Sequence, residues 1–302
     1  MQPLAPEPRP AAISAHIPAF AAILCWATTY PLTRLNLQHF SAVNLAFLRF
    51  VIGTVALFAL ALAKGTRPPK RQDWPWFLAG GVTGYSVYMV LFCKGCETAN
   101  SATSSVVIAL TPVITAFLAR LFLKEKLSFT QWAGIGVGFA GIVVLTLLNG
   151  SLSVNAGVLY LTAGAFLLAG YNLVQRKITV NYSALDSTLY CMMAGTIMLS
   201  VFLPGSVGEV ATASGTQLTR LALSGIIPSA LAYGLWSAAL SRAANTASVA
   251  NYMFVTPFFA TMLGFLIAGE EPDKPTIVGG VVIMAGLLLF VLGGKNAGRN
   301  AQ

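Results

Sequence analysis

The sequence predicts an all-α integral membrane protein with ten transmembrane helices in two inverted five-helix repeats. Three observations support this prediction. Of the 302 residues, 56% are hydrophobic and only 9% are charged, whereas a soluble domain is about a quarter charged. The apolar residues form segments of roughly 20 residues, each long enough to cross a hydrocarbon core about 30 Å thick. The second half of the chain also repeats the order of motifs found in the first half.

The apolar segments follow one another through short loops, so we expect no soluble domain. Residues 1–16 and 294–302 are short polar ends rich in Pro or Gly, which we expect to be tails that bury no core. The leading tail carries one Arg and no apolar stretch, so we expect no cleaved signal peptide. The first five segments form a predicted repeat at 17–149, and the second five form a repeat at 154–293. The predicted spans are about 17–35, 42–64, 74–95, 101–123, 128–149, 154–175, 183–205, 217–241, 246–268 and 274–293.

The net charge of +9 is distributed unevenly across the predicted membrane. If the N-terminus is cytoplasmic, 13 of the 18 Lys and Arg residues fall on the cytoplasmic side, four fall outside, and Arg49 lies within the second span. An excess of cations in short cytoplasmic loops is the positive-inside pattern. We therefore expect both termini in the cytoplasm of a bacterial inner (plasma) membrane. The basic charge then indicates topology, and we expect no nucleic-acid partner.

The duplication is clearest at two Thr-Pro motifs. Thr111 precedes Glu125 by 14 positions, and Thr256 precedes Glu270 by the same distance. At a shift of 145, ANSAT at 99–103 also matches ANTAS at 244–248, and Tyr88, Gly134 and Gly141 match Tyr233, Gly279 and Gly286. Nearer the start of each half the shift is about 142, and FSAVNLAFLRFVIG at 40–53 matches YSALDSTLYCMMAG at 182–195. The chain is therefore a tandem duplication with one small gap.

An odd number of spans in each half sends the second copy through the membrane in the opposite direction. Two such copies can exchange conformations and open a central site alternately to each side, as in many secondary transporters. Pro112 and Pro257 each remove a backbone donor in the middle of a predicted helix, which creates a place to bend. Glu125 and Glu270 end their helices at opposite faces. We interpret these four residues as mirrored gating elements, although Pro that shapes packing and Glu that marks the water boundary would give the same pattern.

The same residues carry a family resemblance. CWATTYPLTRL at 25–35, the Arg49-Phe50 pair, the duplicated Thr-Pro helices and the Gly-rich helices WAGIGVGFAGIVVL and IVGGVVIMAGLLLF resemble the EamA-type branch of the drug/metabolite transporter superfamily. Size and aromatic content are most similar to its YddG aromatic amino-acid exporters. This resemblance implies a basket of ten helices around a central substrate cavity. The first helix has Cys25, Trp26 and Thr28 where the small four-helix multidrug branch has a membrane-embedded Glu, which weakens an analogy with proton antiport.

An amino-acid cavity needs aromatic and apolar walls together with a few polar groups for the ammonium and carboxylate. Aromatic residues with polar neighbours recur one helical turn apart in four of the predicted spans, and polar side chains occur near the centres of the fourth and ninth. Such rings also fill helix packing or mark the membrane interface. Ser104 and Thr111 could face the same space. The predicted substrate-binding residues are Trp26, Tyr30, Tyr85, Tyr88, Tyr171, Asn172, Gln175, Tyr233, Trp236, Asn251 and Tyr252.

The charged residues within the spans limit the mechanism. All nine acids fall in tails, loops or span ends, whereas a proton relay usually places a carboxylate near the middle of a span. Facilitated passage is therefore at least as plausible as proton exchange. Arg49 is the one strong charge inside a span. It could meet a substrate carboxylate or a structural partner such as a backbone carbonyl.

Other functions have weaker support. CKGC at 93–96 is a lone CxxC without a second Cys pair or a nearby His, so we expect no metal and no cofactor. The only histidines, His16 and His39, lie near span ends and no HExxH occurs, which disfavours an intramembrane enzyme. A channel filter or ring of charge is also absent from the sequence. The expected partners are membrane lipid and a small molecule. Amino acids are favoured, while drugs, purines and other hydrophobic metabolites stay open, as do ion coupling, direction and oligomeric state.

Overall fold

The computed structural model describes residues 13–66, 68–124, 127–147, 156–242 and 255–299. Within these ranges the chain is helical and contains no β-strand. The described residues between the helices form short loops, such as the turn at Gln38. The fold class predicted from composition is therefore confirmed at the level of an all-helical protein.

The first half contains eight described α-helices. A 3-10 turn at Arg71–Asp73 precedes α4, and a π-helical turn at Val82–Ser86 joins α4 to α5 without a break in the helical path. The helices are α1 Ile13–Ala27, α2 Thr29–Asn36, α3 Ala42–Lys64, α4 Trp74–Gly81, α5 Val87–Thr98, α6 Ser101–Ile108, α7 Thr111–Leu123 and α8 Phe129–Leu147.

The described part of the second half contains seven α-helices. A 3-10 turn at Ser200–Phe202 joins α10 to α11, and a π-helical turn at Ile226–Leu231 joins α12 to α13. The helices are α9 Ala156–Ile178, α10 Ala184–Leu199, α11 Leu203–Thr212, α12 Gly215–Gly225, α13 Ala232–Arg242, α14 Thr256–Ala268 and α15 Lys274–Arg299.

Seven helical segments of the described chain are long and apolar enough to cross a membrane. Two shorter apolar helices lie at Phe129–Val144 and Thr256–Ala268, and the first predicted span is divided at Thr28 into α1 and α2. A count of ten spans remains a prediction. The seven segments are Ala42–Ala63, Arg71–Thr98, Ser101–Phe122, Ala156–Ile178, Ala184–Thr212, Gly215–Trp236 and Lys274–Gly293.

Large apolar side chains on the outside of the helices fit a lipid environment. Val55, Leu62, Phe122 and Val281 are each more than 60% exposed. A soluble protein rarely exposes so much apolar surface on several elements. The outward faces therefore have the character of a surface solvated by hydrocarbon.

The two Thr-Pro motifs differ from the sequence prediction in one respect. Pro112 and Pro257 do not lie in the middle of helices; each lies in the first turn of a new helix, α7 or α14. A first-turn Pro sacrifices no intrahelical hydrogen bond, because the early N–H groups have no helical acceptor. The interruption in the fourth span is the turn at Ala109–Leu110 that precedes Pro112.

Irregular backbone occurs at matching places in the two halves. The π-helical turn at Val82–Ser86 has its counterpart at Ile226–Leu231 when the first is moved by 145 positions. Lys124 and Gly269, also separated by 145, end α7 and α14 in the left-handed conformation, with φ of 58° and 65°. Since π-helical turns are uncommon, their recurrence at matching positions shows that the halves share local structure.

Close packing of α8 against α15 depends on glycine. A Cβ atom at Gly134 would lie 2.7 Å from the carbonyl oxygen of Gly286, and one at Gly141 would lie 3.0 Å from that of Gly279. Residue numbers rise along one helix as they fall along the other, so the two helices pack antiparallel. Small residues permit this backbone approach within membranes.

Helices from different halves also pair elsewhere. The helix α5 packs on α9, α1 packs on α13, and α6 packs on α14. Between α3 and α10, Thr54 and Thr196 form a hydrogen bond of 2.9 Å between their hydroxyls. The core is thus built from contacts between the halves as well as within them.

Hydrogen bonds connect residues near the helix ends. The backbone N–H of Ser41 donates to Glu209 Oε2 at 3.1 Å. Ser128 Oγ donates to the Gly293 carbonyl at 3.3 Å.

Tyr182 makes two further contacts with the segment that precedes α4. Its hydroxyl donates to Asp73 Oδ2 at 2.6 Å and accepts from the backbone N–H of Lys70 at 2.9 Å. The hydrogen bond to Asp73 raises the pKa of this tyrosine above its ordinary value. Tyr182 therefore keeps the proton that this contact requires throughout the neutral range.

Candidate functional site

Three aromatic rings meet where α1 packs on α13. The Trp26 ring centroid lies 5.3 Å from that of Tyr233, edge to face, and 5.2 Å from that of Trp236. All three side chains are half-buried. Rings at these separations form favourable aromatic pairs and offer flat apolar walls. We call Trp26, Tyr233 and Trp236 the aromatic cluster.

A tyrosine network adjoins this cluster. Tyr85 is fully buried, and its ring centroid lies 6.4 Å from that of Tyr233. The hydroxyls of Tyr85 and Tyr171 form a hydrogen bond of 2.9 Å. Gln175 donates to the Tyr171 hydroxyl and accepts from Ser187, so Gln175 is already occupied by protein partners. The two buried phenols therefore satisfy each other, as buried polar groups require.

The π-helical turn and a glycine position this pair of tyrosines. Tyr85 lies within the π-helical turn at Val82–Ser86, where an extra residue rotates the side chains that follow. Gly84 has no Cβ, and the ring of Tyr171 occupies the space that a Cβ would need. Together they let Tyr171 of α9 reach Tyr85 on the neighbouring helix.

Tyr30 and Tyr88 form a second aromatic group around Phe92. Tyr30 is buried, and its ring centroid lies 5.7 Å from that of Phe92. Tyr88 is half-buried, with its centroid 6.0 Å from Phe92. Tyr30 of α2 and Tyr88 of α5 therefore both pack against the ring of Phe92.

Arg49 is almost completely buried within α3, with 4% of its surface exposed. Its Nη1 donates to Thr33 Oγ1 at 3.3 Å and lies 3.9 Å from Met89 Sδ, and its Nη2 donates to Thr29 Oγ1 at 3.2 Å. Its Nε has no hydrogen-bond partner within the described segments. The partners in the protein are thus hydroxyls and a thioether, rather than the backbone carbonyl that the sequence made plausible.

Asn172 is separated from its predicted neighbours. Its side chain is exposed and donates to Thr115 Oγ1 of α7 at 3.0 Å, whereas Tyr171 points into the buried network. Asn172 therefore links α9 to α7. Asn251, Tyr252 and the gating residue Glu125 lie outside the described residues.

Glu270 joins three segments of the chain. Its Oε1 accepts from Arg34 Nε at 2.9 Å, and its Oε2 accepts from the backbone N–H of Ser101 at 2.8 Å. Arg34 Nη1 also donates to the carbonyls of Cys96 and Glu97 at 2.7 and 3.0 Å. An anion beside the first N–H groups of α6 is favoured by the helix dipole. We call Arg34, Ser101 and Glu270 the latch.

Cysteine and the remaining polar candidates serve packing. Cys93 and Cys96 are buried free thiols, and Cys96 Sγ donates to Ser104 at 3.5 Å. Thr111 is buried and donates to the carbonyl of Ile108 at 2.6 Å. Within the described ranges, no three His, Cys, Asp or Glu side chains are grouped to hold a metal ion.

The partners of the charged residues were not predicted from the sequence. Arg34 was only a cation near the end of the first span, yet it is the partner of Glu270. One signal was available, because a shift of 142 places Arg34 on Arg176, so each half carries an arginine at the end of its first helix. Thr29 and Thr33 lie one helical turn apart in the sequence, and both accept hydrogen bonds from Arg49.

Comparison with known proteins identifies the family. The EamA-like transporter family matches the chain twice, at residues 13–147 and 155–292. A "Probable terminal-alkyne amino-acid exporter" of Streptantibioticus cattleyicolor is 30% identical over 268 residues, which cover 89% of this chain and 90% of the relative. An "S-adenosylmethionine uptake transporter" of Rickettsia felis is 27% identical over 255 residues, 84% of each chain.

Two further likenesses concern the membrane and the fold. The inner membrane transporter YedA of Escherichia coli strain K12 is 27% identical over 285 residues, 91% of this chain and 89% of YedA. A crystal structure with a TM-score of 0.63 and 21% identity covers 95% of this chain and 99% of its own, which shows a shared fold. Since the two family matches span most of the described helices, the chain belongs to the EamA-like family of the drug/metabolite transporter superfamily and is a membrane transporter.

Proposed function

We propose that this transporter exports amino acids, with aromatic ones favoured, by alternating access of two inverted repeats around a midplane cavity. The observation that carries the proposal is the aromatic cluster of Trp26, Tyr233 and Trp236 at the packing surface between the two halves. A transporter binds its substrate where its moving parts meet, because only such a site can open to either side. Flat half-buried rings at that place suit an aromatic side chain.

The relatives support an organic small molecule as substrate and differ in detail. One is named as an exporter of an amino acid and another as an uptake transporter of S-adenosylmethionine, which is itself an amino-acid derivative. An amino-acid moiety is common to both. That this chain also carries a molecule with an amino-acid moiety is part of the proposal, and so is the direction of export.

Matched contacts support the inverted arrangement. Adding 145 to Gly134 and Gly141 gives Gly279 and Gly286, so the contact between Gly134 and Gly286 becomes the contact between Gly279 and Gly141. A two-fold axis perpendicular to α8 and α15 has this effect and makes the helices antiparallel. In a membrane such an axis lies in the bilayer plane.

Thr54 and Thr196 support the same axis independently. They are separated by 142, the shift that applies near the start of each half, and they bond to each other. A residue that contacts its own repeat counterpart lies beside the axis. The pairings of α5 with α9 and of α1 with α13 are likewise exchanged by the duplication.

Loop contacts support ten spans with alternating direction. Arg34 lies at the end of the first predicted span, Glu97 and Glu270 follow the third and ninth, and the three residues meet in one place. Tyr182 and Asp73 precede the seventh and third predicted spans and meet in another. Ten alternating crossings would put the first set at the outer face and the second at the cytoplasmic face.

We propose that the latch is the closed outer gate. Glu270 holds the end of α2 through Arg34 and the start of α6 through Ser101. The duplication places Arg176 and Glu125 at the positions of Arg34 and Glu270 in the opposite repeat. In the other conformation, the mirrored pair would close the cytoplasmic side while the latch opens. Pro112 and Pro257, at the starts of α7 and α14, mark the proposed bends.

Flux in proteoliposomes tests the proposal. Purified protein is reconstituted, and uptake of radiolabelled phenylalanine and tryptophan is compared with that of alanine, with and without an imposed pH gradient and against protein-free liposomes. We expect aromatic flux that exceeds alanine flux. Insensitivity to the gradient would indicate facilitated passage, in keeping with acids confined to span ends; accumulation driven by the gradient would assign coupling to Glu125 or Glu270. No flux of any of the three from folded protein would overturn the substrate assignment.

A further inference from the structure

Arg49 carries a donor that the described part of the chain leaves unused. Its Nε is buried and has no hydrogen-bond partner among the described residues. Buried polar atoms are almost always satisfied, and an unpaired donor on a buried cation is costly. Such an exception indicates a group that is supplied from elsewhere.

The free donors of Arg49 form a pair. A guanidinium has five N–H groups, with one on Nε and two on each terminal nitrogen. Nη2 uses one hydrogen for Thr29, while Nη1 faces Thr33 and Met89. One hydrogen on Nη2 and the hydrogen on Nε are left. Two adjacent donors of this kind match the two oxygens of a carboxylate.

No acid neutralises Arg49 within the described part of the chain. Its strongest electrostatic neighbours are Cys93, Tyr88, Tyr233 and Cys96, which are side chains that are ordinarily neutral near pH 7. A buried cation normally has an anionic partner. Among the described residues, the charge of Arg49 therefore has no compensating anion.

The fold itself does not need a cation at this place. A shift of 142 puts Cys191 of α10 at the position of Arg49, and Cys191 is a buried thiol packed against Gly80. The repeated architecture therefore accepts a small uncharged side chain. Arg49 breaks the symmetry of the two repeats, as a binding group for an asymmetric ligand would.

We propose that Arg49 binds the carboxylate of the transported molecule through its Nε and Nη2. The inference rests on the proposed function and deepens it, because it assigns the ligand class as an aromatic carboxylate whose ring lies against the aromatic cluster. Tyr233 connects the two regions, since it contacts Trp26 and is also an electrostatic neighbour of Arg49. The carboxylate supplies the missing negative charge, and the ring of the ligand fills the apolar side.

Three probes that differ in one group each test the proposal on the full-length protein in detergent. Phenylalanine carries both charged groups, 3-phenylpropionate lacks the ammonium, and phenethylamine lacks the carboxylate. Binding is measured by calorimetry for wild type, Arg49→Gln and Arg49→Lys. Lys94→Gln is the matched control, because Lys94 is an exposed cation paired with Glu97.

We expect Arg49→Gln to weaken binding of both carboxylates by about 10- to 100-fold and to leave phenethylamine binding unchanged, since a charge-assisted bidentate pair is lost. Arg49→Lys recovers only part of the affinity, because an ammonium lacks the planar fork. Lys94→Gln has no effect. If the Arg49 variants fail to fold, the wild type alone decides: at equal concentration, the carboxylates raise its unfolding temperature more than phenethylamine does.

The outcomes separate the two proposals. Phenylalanine binding that survives in folded Arg49→Gln, or equal stabilisation of the wild type by phenethylamine, overturns the carboxylate site and leaves the proposed function intact. Binding of phenylpropionate that requires Arg49, without binding of phenylalanine, keeps the carboxylate site and removes the amino-acid function. Binding of phenethylamine alone, or of no probe, overturns both.

Discussion

Trp26 and Trp236 are the single residues whose loss should change selectivity most. Both belong to the aromatic cluster, and each is half-buried. Replacing either with Ala removes an aromatic face worth about 0.5–1.5 kcal/mol beyond its buried area. We expect the ratio of tryptophan to alanine flux to fall roughly 3- to 10-fold, while the amount of protein in the membrane stays the same.

Trp76→Ala serves as the control for this comparison. Trp76 is an exposed residue of α4 that lies under Lys177 rather than in the cluster. Flux ratios and membrane abundance are measured in parallel for the three variants. A ratio unchanged in both cluster variants would mean that these rings pack helices and do not meet substrate.

The spacing of aromatic residues predicted which rings share a helix face, but it did not predict most of the residues that they contact. One-turn spacing placed Tyr233 and Trp236 on one face, and the structure brings both to Trp26. Sequence spacing could not predict that Asn172 donates a hydrogen bond to Thr115. Contacts between distant helices depend on their packing, which local periodicity does not encode.

The glycine seam between α8 and α15 makes a prediction about an element. A side chain at Gly134 would press on the backbone of α15, with the Phe290 nitrogen 2.6 Å from a Cβ. Backbone cannot move aside as a flexible side chain does. We expect Gly134→Val to destabilise the protein by about 1–3 kcal/mol, as overpacking does, measured by unfolding in detergent.

Gly136 provides a control on the same helix. A Cβ at Gly136 has no heavy atom within 4 Å. Gly136→Ala should leave stability unchanged or raise it slightly, because alanine favours the helix by up to about 1 kcal/mol. Equal losses from Gly134→Val and Gly136→Ala would argue against the seam as the cause.

The latch permits a test of movement between α6 and α14. A Cβ at Gly264 lies 3.0 Å from the Ser101 Cβ, close to the separation of about 3.5–4.5 Å found in disulfides. In a background without native cysteines, Ser101→Cys combined with Gly264→Cys should cross-link under oxidation and stop flux. Reduction should restore flux, because opening at this face then becomes free again.

Each single cysteine variant should remain active under both conditions. An oxidised double variant that is fully cross-linked, as judged by the loss of free thiols, and still transports would show that α6 and α14 do not separate here during transport. The latch would then be a static structural contact.

The positions of the helices were easier to predict from the sequence than the irregular turns that interrupt them. Long apolar runs located the helices, since only hydrocarbon-spanning helices need such length. The π-helical turns at Val82–Ser86 and Ile226–Leu231 have no composition signal of their own. Pro112 looked like a kink within a helix, because its position relative to the turn at Ala109–Leu110 depends on where α6 ends.

The duplication accounts for the architecture of the whole molecule, and positions at which the two halves differ hold residues of the proposed binding site. The glycine seam, the hydroxyl pair at Thr54 and the π-helical turns repeat between the halves. Arg49, Trp26 and Trp236 differ from their counterparts in the other half, which are Cys191, Leu168 and Leu91, whereas Tyr233 of the aromatic cluster matches Tyr88. A symmetric frame allows two mirrored conformations, whereas an asymmetric lining can recognise a molecule with distinct ends.

Membrane topology tests this architecture directly. Ten crossings place Lys126 in the cytoplasm and Glu271 outside, although both follow Thr-Pro helices at repeated positions. Single cysteines are introduced at these sites, in a background in which Cys25, Cys93 and the other native thiols are replaced. Intact cells are treated with a membrane-impermeant maleimide before and after permeabilisation. We expect Glu271→Cys to react at once and Lys126→Cys only after permeabilisation.

Two exposed lysines calibrate the assay, because Lys70 precedes the third predicted span and Lys94 ends it. Lys70→Cys should therefore behave like Lys126→Cys, and Lys94→Cys should behave like Glu271→Cys. Opposite reactivity of the calibrating pair together with equal reactivity of Lys126→Cys and Glu271→Cys would remove the inversion. Exchange of the two halves could then no longer account for transport, since parallel repeats related by an axis along the membrane normal do not convert an outward opening into an inward one.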